Sequence, residues 1–142
     1  MTDLSKGLVV VTGASAGLGR ALSIEFASRG LRVAGFGRRA EELAETARLA
    51  GSSFVACPVD VSSAEEVNRS MDRLARDIAP VTILVNNAAV YPRRDFLDET
   101  PQSFMDSVAV NLGGFVNCSH AALRQMVLTG HGRILNVSTF AD

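Results

Sequence analysis

The chain has 142 residues, 47% of them hydrophobic and 20% charged, with a formal net charge of −1. That balance supports a buried core and excludes a disordered chain. The near-zero charge gives no attraction to nucleic acid or an anionic membrane, and the run Leu8-Val9-Val10-Val11 is far too short to span a bilayer. Met1 to Gly7 carry Asp3 and no apolar signal segment, so a cytoplasmic location is expected. Cys57 and Cys118 stand far apart and outside any Cys-x-x-Cys pattern, which reads as two free thiols. With the isolated His120 and His131 they do not make a ligand set, and no metal is expected.

Short β-branched runs alternate with longer helical ones. Residues 8–12 read as a buried strand. Residues 17–29 read as a helix with Leu18, Leu22 and Phe26 on one face and Gly30 as its stop. A strand over 32–37, a helix over 40–50 ending at Gly51, and a strand over 53–58 follow. Ser62-Ser63-Ala64-Glu65 has the form of a capping box with Ser62 as N-cap, opening a helix that aligns Val67, Met71, Leu74 and Ile78. Residues 81–86 form a fourth strand. Thr100-Pro101 starts a long helix, 102–129, whose apolar stripe is Phe104, Val108, Leu112, Phe115, Ala122 and Met126. Gly113-Gly114 in its middle marks either a bend or close packing. A fifth strand, 133–137, closes the series. Strands alternating with helices imply right-handed βαβ units and a parallel sheet, the α/β doubly wound class.

The first strand runs into Thr12-Gly13-Ala14-Ser15-Ala16-Gly17-Leu18-Gly19, and a helix follows at once. Glycines let the backbone turn sharply and approach a pyrophosphate, and the helix start presents free N–H groups to it. The spacing is Gly-x-x-x-Gly-x-Gly. With Thr12 in front, it resembles the signature of the short-chain dehydrogenase/reductase family. Asp60-Val61 follows the third strand, where family members hold the adenine ring. Asn86-Asn87-Ala88-Ala89 resembles the family's Asn-Asn-Ala-Gly, with Ala89 in place of the glycine. Asn111 lies where the family places an active-site asparagine, and Ser138, after the fifth strand, where it places its catalytic serine. The resemblance implies a Rossmann-like sheet in the order 3-2-1-4-5. It assigns cofactor binding to Thr12, Gly13, Ser15, Ala16, Gly17, Leu18, Gly19, Asp60, Val61, Asn87, Ala88 and Ala89.

Dinucleotide folds specific for NAD carry an acidic residue near the end of the second strand to bind the ribose 2′-hydroxyl. That strand here ends Gly35-Phe36-Gly37-Arg38-Arg39. A guanidinium suits the 2′-phosphate of NADP, being planar, multi-donor and permanently charged. NADP(H) is therefore expected over NAD(H), with Arg38 the main contact and Arg39 the reserve. Ala16 stands where many NADP-preferring relatives have a basic residue.

Hydride transfer between a carbonyl and an alcohol needs a positioned acid–base group and a donor to the reacting oxygen. The resemblance gives the donor to Ser138 and a share in a proton relay to Asn111. The family's acid–base tyrosine and its lysine four residues on have no counterpart, since Tyr91 is the only tyrosine and Lys6 the only lysine. The chain thus reads as the amino-terminal cofactor half of one family domain, ending before that pair and inactive alone. A non-catalytic nucleotide-binding module and a truncated gene product are the alternatives. The fifth strand would then be an open edge and the long helix would expose apolar surface, implying self-association through residues 102–129. A small-molecule carbonyl or alcohol is the expected substrate. Arg93 and Arg94 read as a solvated loop pair, and Glu41, Glu42 and Glu45 as a solvated helix face.

Overall fold

The computed structural model describes residues 6–138. Residues 1–5, part of the stretch read for a signal segment, lie outside them. The elements are β1 (Leu8–Thr12), α1 (Gly17–Ser28), β2 (Arg32–Gly37), α2 (Ala40–Ala50), β3 (Phe54–Pro58), α3 (Ala64–Asp77), β4 (Val81–Asn86), α4 (Pro101–Val108), α5 (Gly114–Thr129) and β5 (Arg133–Asn136). All pairings in the sheet are parallel, and the strand order is β3-β2-β1-β4-β5.

Period-two alternation along β1 sends Leu8 and Val10 to one face and Val9 and Val11 to the other, and all four are buried. The first face packs under α3 and α5 through Phe36, Met71, Leu84, Cys118 and Met126. The second packs under α1 and α2 through Val33, Leu43, Phe54 and Val85. Burying each such side chain stabilises by roughly 1.5–3 kcal/mol. This two-sided burial makes β1 and β4 the centre of the sheet and fixes the loops at their carboxyl ends. A buried amide also ties the layers. Gln125 on α5 accepts the Val81 N–H (2.8 Å) and donates to the Met71 carbonyl (3.1 Å).

Four details differ from the expectation. The N-cap of α3 is Ser63, whose hydroxyl accepts the Glu66 N–H (3.2 Å). Ser62 is drawn instead to Asp60 Oδ1, by its N–H (2.9 Å) and its hydroxyl (2.7 Å). Leu18 is 52% exposed, because α1 buries Gly19, Ser23 and Ala27 and presses only Leu22 and Phe26 partly against the core. The long helix is interrupted by a π turn at Ala109–Gly113. The widened turn shifts every later residue about the axis, although Val108, ahead of it, is exposed already. Val108, Leu112 and Phe115 are exposed while Ala122 and Met126 are buried. Gly114 is a close-packing position, where a Cβ would lie 2.6 Å from Val61 Cγ2. Among the described residues β5 is an edge strand, largely exposed.

Candidate functional site

Past Thr12 the chain turns through Gly13 (φ 68°) and Gly17 (φ 53°) into α1, conformations that favour glycine. A Cβ on Gly19 would fall 2.2 Å from the Gly13 carbonyl oxygen, so the first helical turn seats directly on the loop. Ala16 caps α1 without a side-chain hydrogen bond, and the first turn holds no acid. The opening N–H groups and the positive end of the helix dipole therefore lack an internal anion.

Two sets of side chains hold this turn. On one side the Arg20 guanidinium donates to the carbonyls of Ser15 and Glu42 and to the Thr46 hydroxyl, which itself donates to the Ala14 carbonyl (2.9 Å). On the other, the Asn87 amide donates to the carbonyls of Thr12 (3.0 Å) and Gly13 (3.5 Å). The buried Thr12 hydroxyl accepts the N–H groups of Asn87 (3.0 Å) and Ala88 (2.9 Å) and donates to the Val85 carbonyl (3.4 Å). Thr12 is thus a bracket between β1 and β4.

The turn forms one wall of a cavity of about 480 Å³, a size suited to small ligands. Of the residues expected to bind cofactor, Gly13, Ser15, Ala16, Gly17, Arg38, Arg39, Asp60, Val61, Asn87, Ala88 and Ala89 line it. Thr12, Leu18 and Gly19 do not. The Ser15 hydroxyl occupies the space a Cβ on Gly37 would take, at 2.3 Å, so this strand end is neutral and closely packed. Arg39 is paired with Glu42 (3.0 Å), which makes Glu42 more than a solvated charge and leaves Arg38 as the less committed guanidinium. Burial opposes ionisation of Asp60. Its hydrogen bonds from Ser62 and the nearby Arg38 charge outweigh that and hold the carboxyl below its usual range. A glycine turn without internal anion, an acid fixed on the opposite lip and arginines beyond the second strand suit a dinucleotide.

A second cavity of about 250 Å³ adjoins the first and shares Ala88 and Ala89 with it. It brings together Asn111, Ser138, Tyr91 and Asn136. Asn111 sits in the π turn, a distortion frequent at functional sites. Both ends of its amide are spent on Val90, Oδ1 accepting the N–H and Nδ2 donating to the carbonyl, each at 2.8 Å. It therefore pins the loop after β4. Asn86 donates to Ser119 Oγ (3.0 Å) and Asn136 Oδ1 (3.1 Å), locking β4 to α5 and β5 beside Ser138. Lys6 lines neither cavity. Sequence reasoning missed Arg20 and Ser119, and named Asn86 in its motif without its long-range partners Ser119 and Asn136. Arg93, read with Arg94 as a solvated loop pair, is exposed and also borders the larger cavity.

Comparison with known proteins agrees with this geometry. The family model described as short chain dehydrogenase matches residues 7–141. A short-chain dehydrogenase/reductase family 16C member 6 of Bos taurus is 34% identical over 98% of this chain and 45% of its own length. The L-rhamnose-1-dehydrogenase of Scheffersomyces stipitis is 32% identical over 99% of this chain and 58% of its own. The chain spans about half the length of these curated relatives. A metagenomic short-chain oxidoreductase solved in complex with NADP superposes with a TM-score of 0.88 at 29% identity, covering 97% of this chain and 64% of that one. Serine dehydrogenase from Escherichia coli superposes with a TM-score of 0.84 at 28% identity, over 93% of this chain and 62% of its own. Fold, glycine turn and sequence likeness agree, and the chain belongs to the short-chain dehydrogenase/reductase family.

Proposed function

We propose that this chain is the cofactor-binding half of an NADP(H)-dependent oxidoreductase that interconverts a carbonyl and a secondary alcohol. The observation that carries the reading is the 480 Å³ cavity, in which the glycine turn, Asp60 and Arg38 share one wall system. When bound there, the nicotinamide supplies or accepts the hydride. The chain's own residues do the rest. The α1 N–H groups and glycine turn hold the diphosphate. Asp60 and Val61 border the adenine end. Arg38 meets the 2′-phosphate, with Arg39 restrained by Glu42. Ser138 donates to the substrate oxygen at the smaller cavity, and Asn111 and Asn86 keep the walls around it in place. The acid–base step needs a Tyr-x-x-x-Lys segment, which these 142 residues do not contain, so the reaction is proposed for this chain together with such a segment. A nucleotide-binding module without catalysis is the alternative reading.

Exposed Leu123, Val127 and Leu128 on α5 support a homo-oligomer formed through the long helix. Sedimentation over a concentration series tests this, and a monomer at all concentrations refutes it. The central test is fluorescence titration of the chain with NADPH and NADH in parallel. Saturable binding with NADPH tighter supports the reading, and saturation by neither overturns it. Turnover on adding a complementing segment with the Tyr-x-x-x-Lys pair separates the enzyme from the module.

A further inference from the structure

We propose that Arg93 is a ligand for the diphosphate of the bound dinucleotide, set on the cavity wall that faces the glycine turn. The inference rests on the cofactor reading above. Its first support is placement. Arg93 lines the larger cavity with Gly13, Ser15 and Gly17, and does not line the smaller one that holds Ser138, Asn111 and Tyr91. Arg93 thus belongs to the wall of the cofactor cavity and not to that of the smaller one.

The second support is charge. A dinucleotide diphosphate carries about two negative charges, and a helix N-terminus supplies only about half a positive one. Ala16 places no basic side chain in the turn, and the guanidinium of Arg20, which does reach it, is committed to the carbonyls of Ser15 and Glu42 and to the Thr46 hydroxyl. Arg38 is at the second-strand end of the cavity, within the field of Asp60, and Arg39 is paired with Glu42. Arg93 has no ion pair or hydrogen bond among the described residues, so its five donors are available to a phosphate.

The third support is positioning. Arg93 is three residues from Val90, whose N–H and carbonyl are both held by the Asn111 amide. The loop start is held again by Asn87 on Thr12. Loop closure by an arginine so anchored costs less entropy than closure by one on a free loop.

The test is titration of the parent chain and of Arg93→Ala with NADH and NADPH, with far-ultraviolet circular dichroism to confirm the fold. Loss of about five- to tenfold in affinity for both nucleotides, partly restored in Arg93→Lys, is expected. The neighbouring Arg94→Ala, which is not on the cavity wall, is expected to stay within about twofold of the parent. Equal affinity of parent and Arg93→Ala overturns the assignment and leaves the cofactor reading intact. An effect on NADPH alone overturns it in favour of the 2′-phosphate. An equal loss in Arg94→Ala overturns it in favour of general electrostatic attraction. A parent chain that binds neither nucleotide overturns the cofactor reading, and the role of Arg93 falls with it.

Discussion

Replacing Thr12 by valine keeps the β-branched shape and removes one oxygen. In the native fold that oxygen accepts the N–H groups of Asn87 and Ala88 at 3.0 and 2.9 Å and donates to the Val85 carbonyl at 3.4 Å. Leaving a buried donor unpaired costs about 1–3 kcal/mol. Two donors are orphaned, but both residues are only half-buried and water can reach them in part. The long bond to Val85 adds little, and its carbonyl remains in the β4 strand. The expected loss is therefore about 2–3 kcal/mol, a large share of the 5–15 kcal/mol typical of a folded domain. With a urea slope of roughly 2 kcal/mol/M, the unfolding midpoint falls by about 1–1.5 M at unchanged slope. Thr12→Ser keeps the oxygen and is expected to recover more than half of that shift. A midpoint change below about 0.3 M in Thr12→Val would refute the claim that this hydroxyl clamps β1 to β4.

Arg38→Ala is expected to weaken NADPH binding by about tenfold and to leave NADH within twofold, read by the same titration, since one charge-assisted contact to a phosphate is worth roughly 1.5 kcal/mol. An equal loss for both nucleotides would place Arg38 away from the 2′-phosphate. Gly19→Ala forces a Cβ to 2.2 Å from the Gly13 carbonyl, so α1 or the loop must move. A fall in melting temperature of several degrees together with lost nucleotide affinity is expected, roughly 4 °C per kcal/mol at this size. An unchanged melting curve and affinity would sink that account of the turn. Burial pushes the Cys118 thiol up to about 12 from 9.0. The folded state then holds a proton that the unfolded state releases, so stability is full below pH 9 and declines between about 9 and 12. In urea melts, the advantage of the parent over Cys118→Ala is expected to shrink as pH rises from 8 to 10.5. A constant difference would contradict it.

Much of the site was legible because the relevant physics is local. A glycine cluster between a β-branched run and a helix can do few things, and the absence of an acid at Gly37 followed by Arg38 and Arg39 is a property of neighbouring residues. Strand positions and the parallel class followed from alternating patterns and right-handed crossovers, whereas the order of the sheet came from the family resemblance, and the observed order β3-β2-β1-β4-β5 agrees. Capping was legible to within one position. Ser62 and Ser63 are equal candidates by composition, and the choice fell to Asp60, a residue before the helix, which takes Ser62 for itself.

What needed the tertiary structure were contacts between segments far apart in the chain. The stripe on the long helix is periodic as written, yet the π turn at Ala109–Gly113 rotates it, and Leu112 and Phe115 finish outside the core. Arginine pairs in a loop look alike in sequence. Only the folded loop, held at Val90 by Asn111 across 21 residues, shows Arg93 on the cavity wall and Arg94 off it. Thr12 was chosen for its place in a motif, but its work is to join two strands 75 residues apart. Side-chain periodicity and turn chemistry determine the elements along the chain, because they act over a few residues. Which polar group meets which depends on loop closure and packing of the whole sheet, and that was decided only in three dimensions.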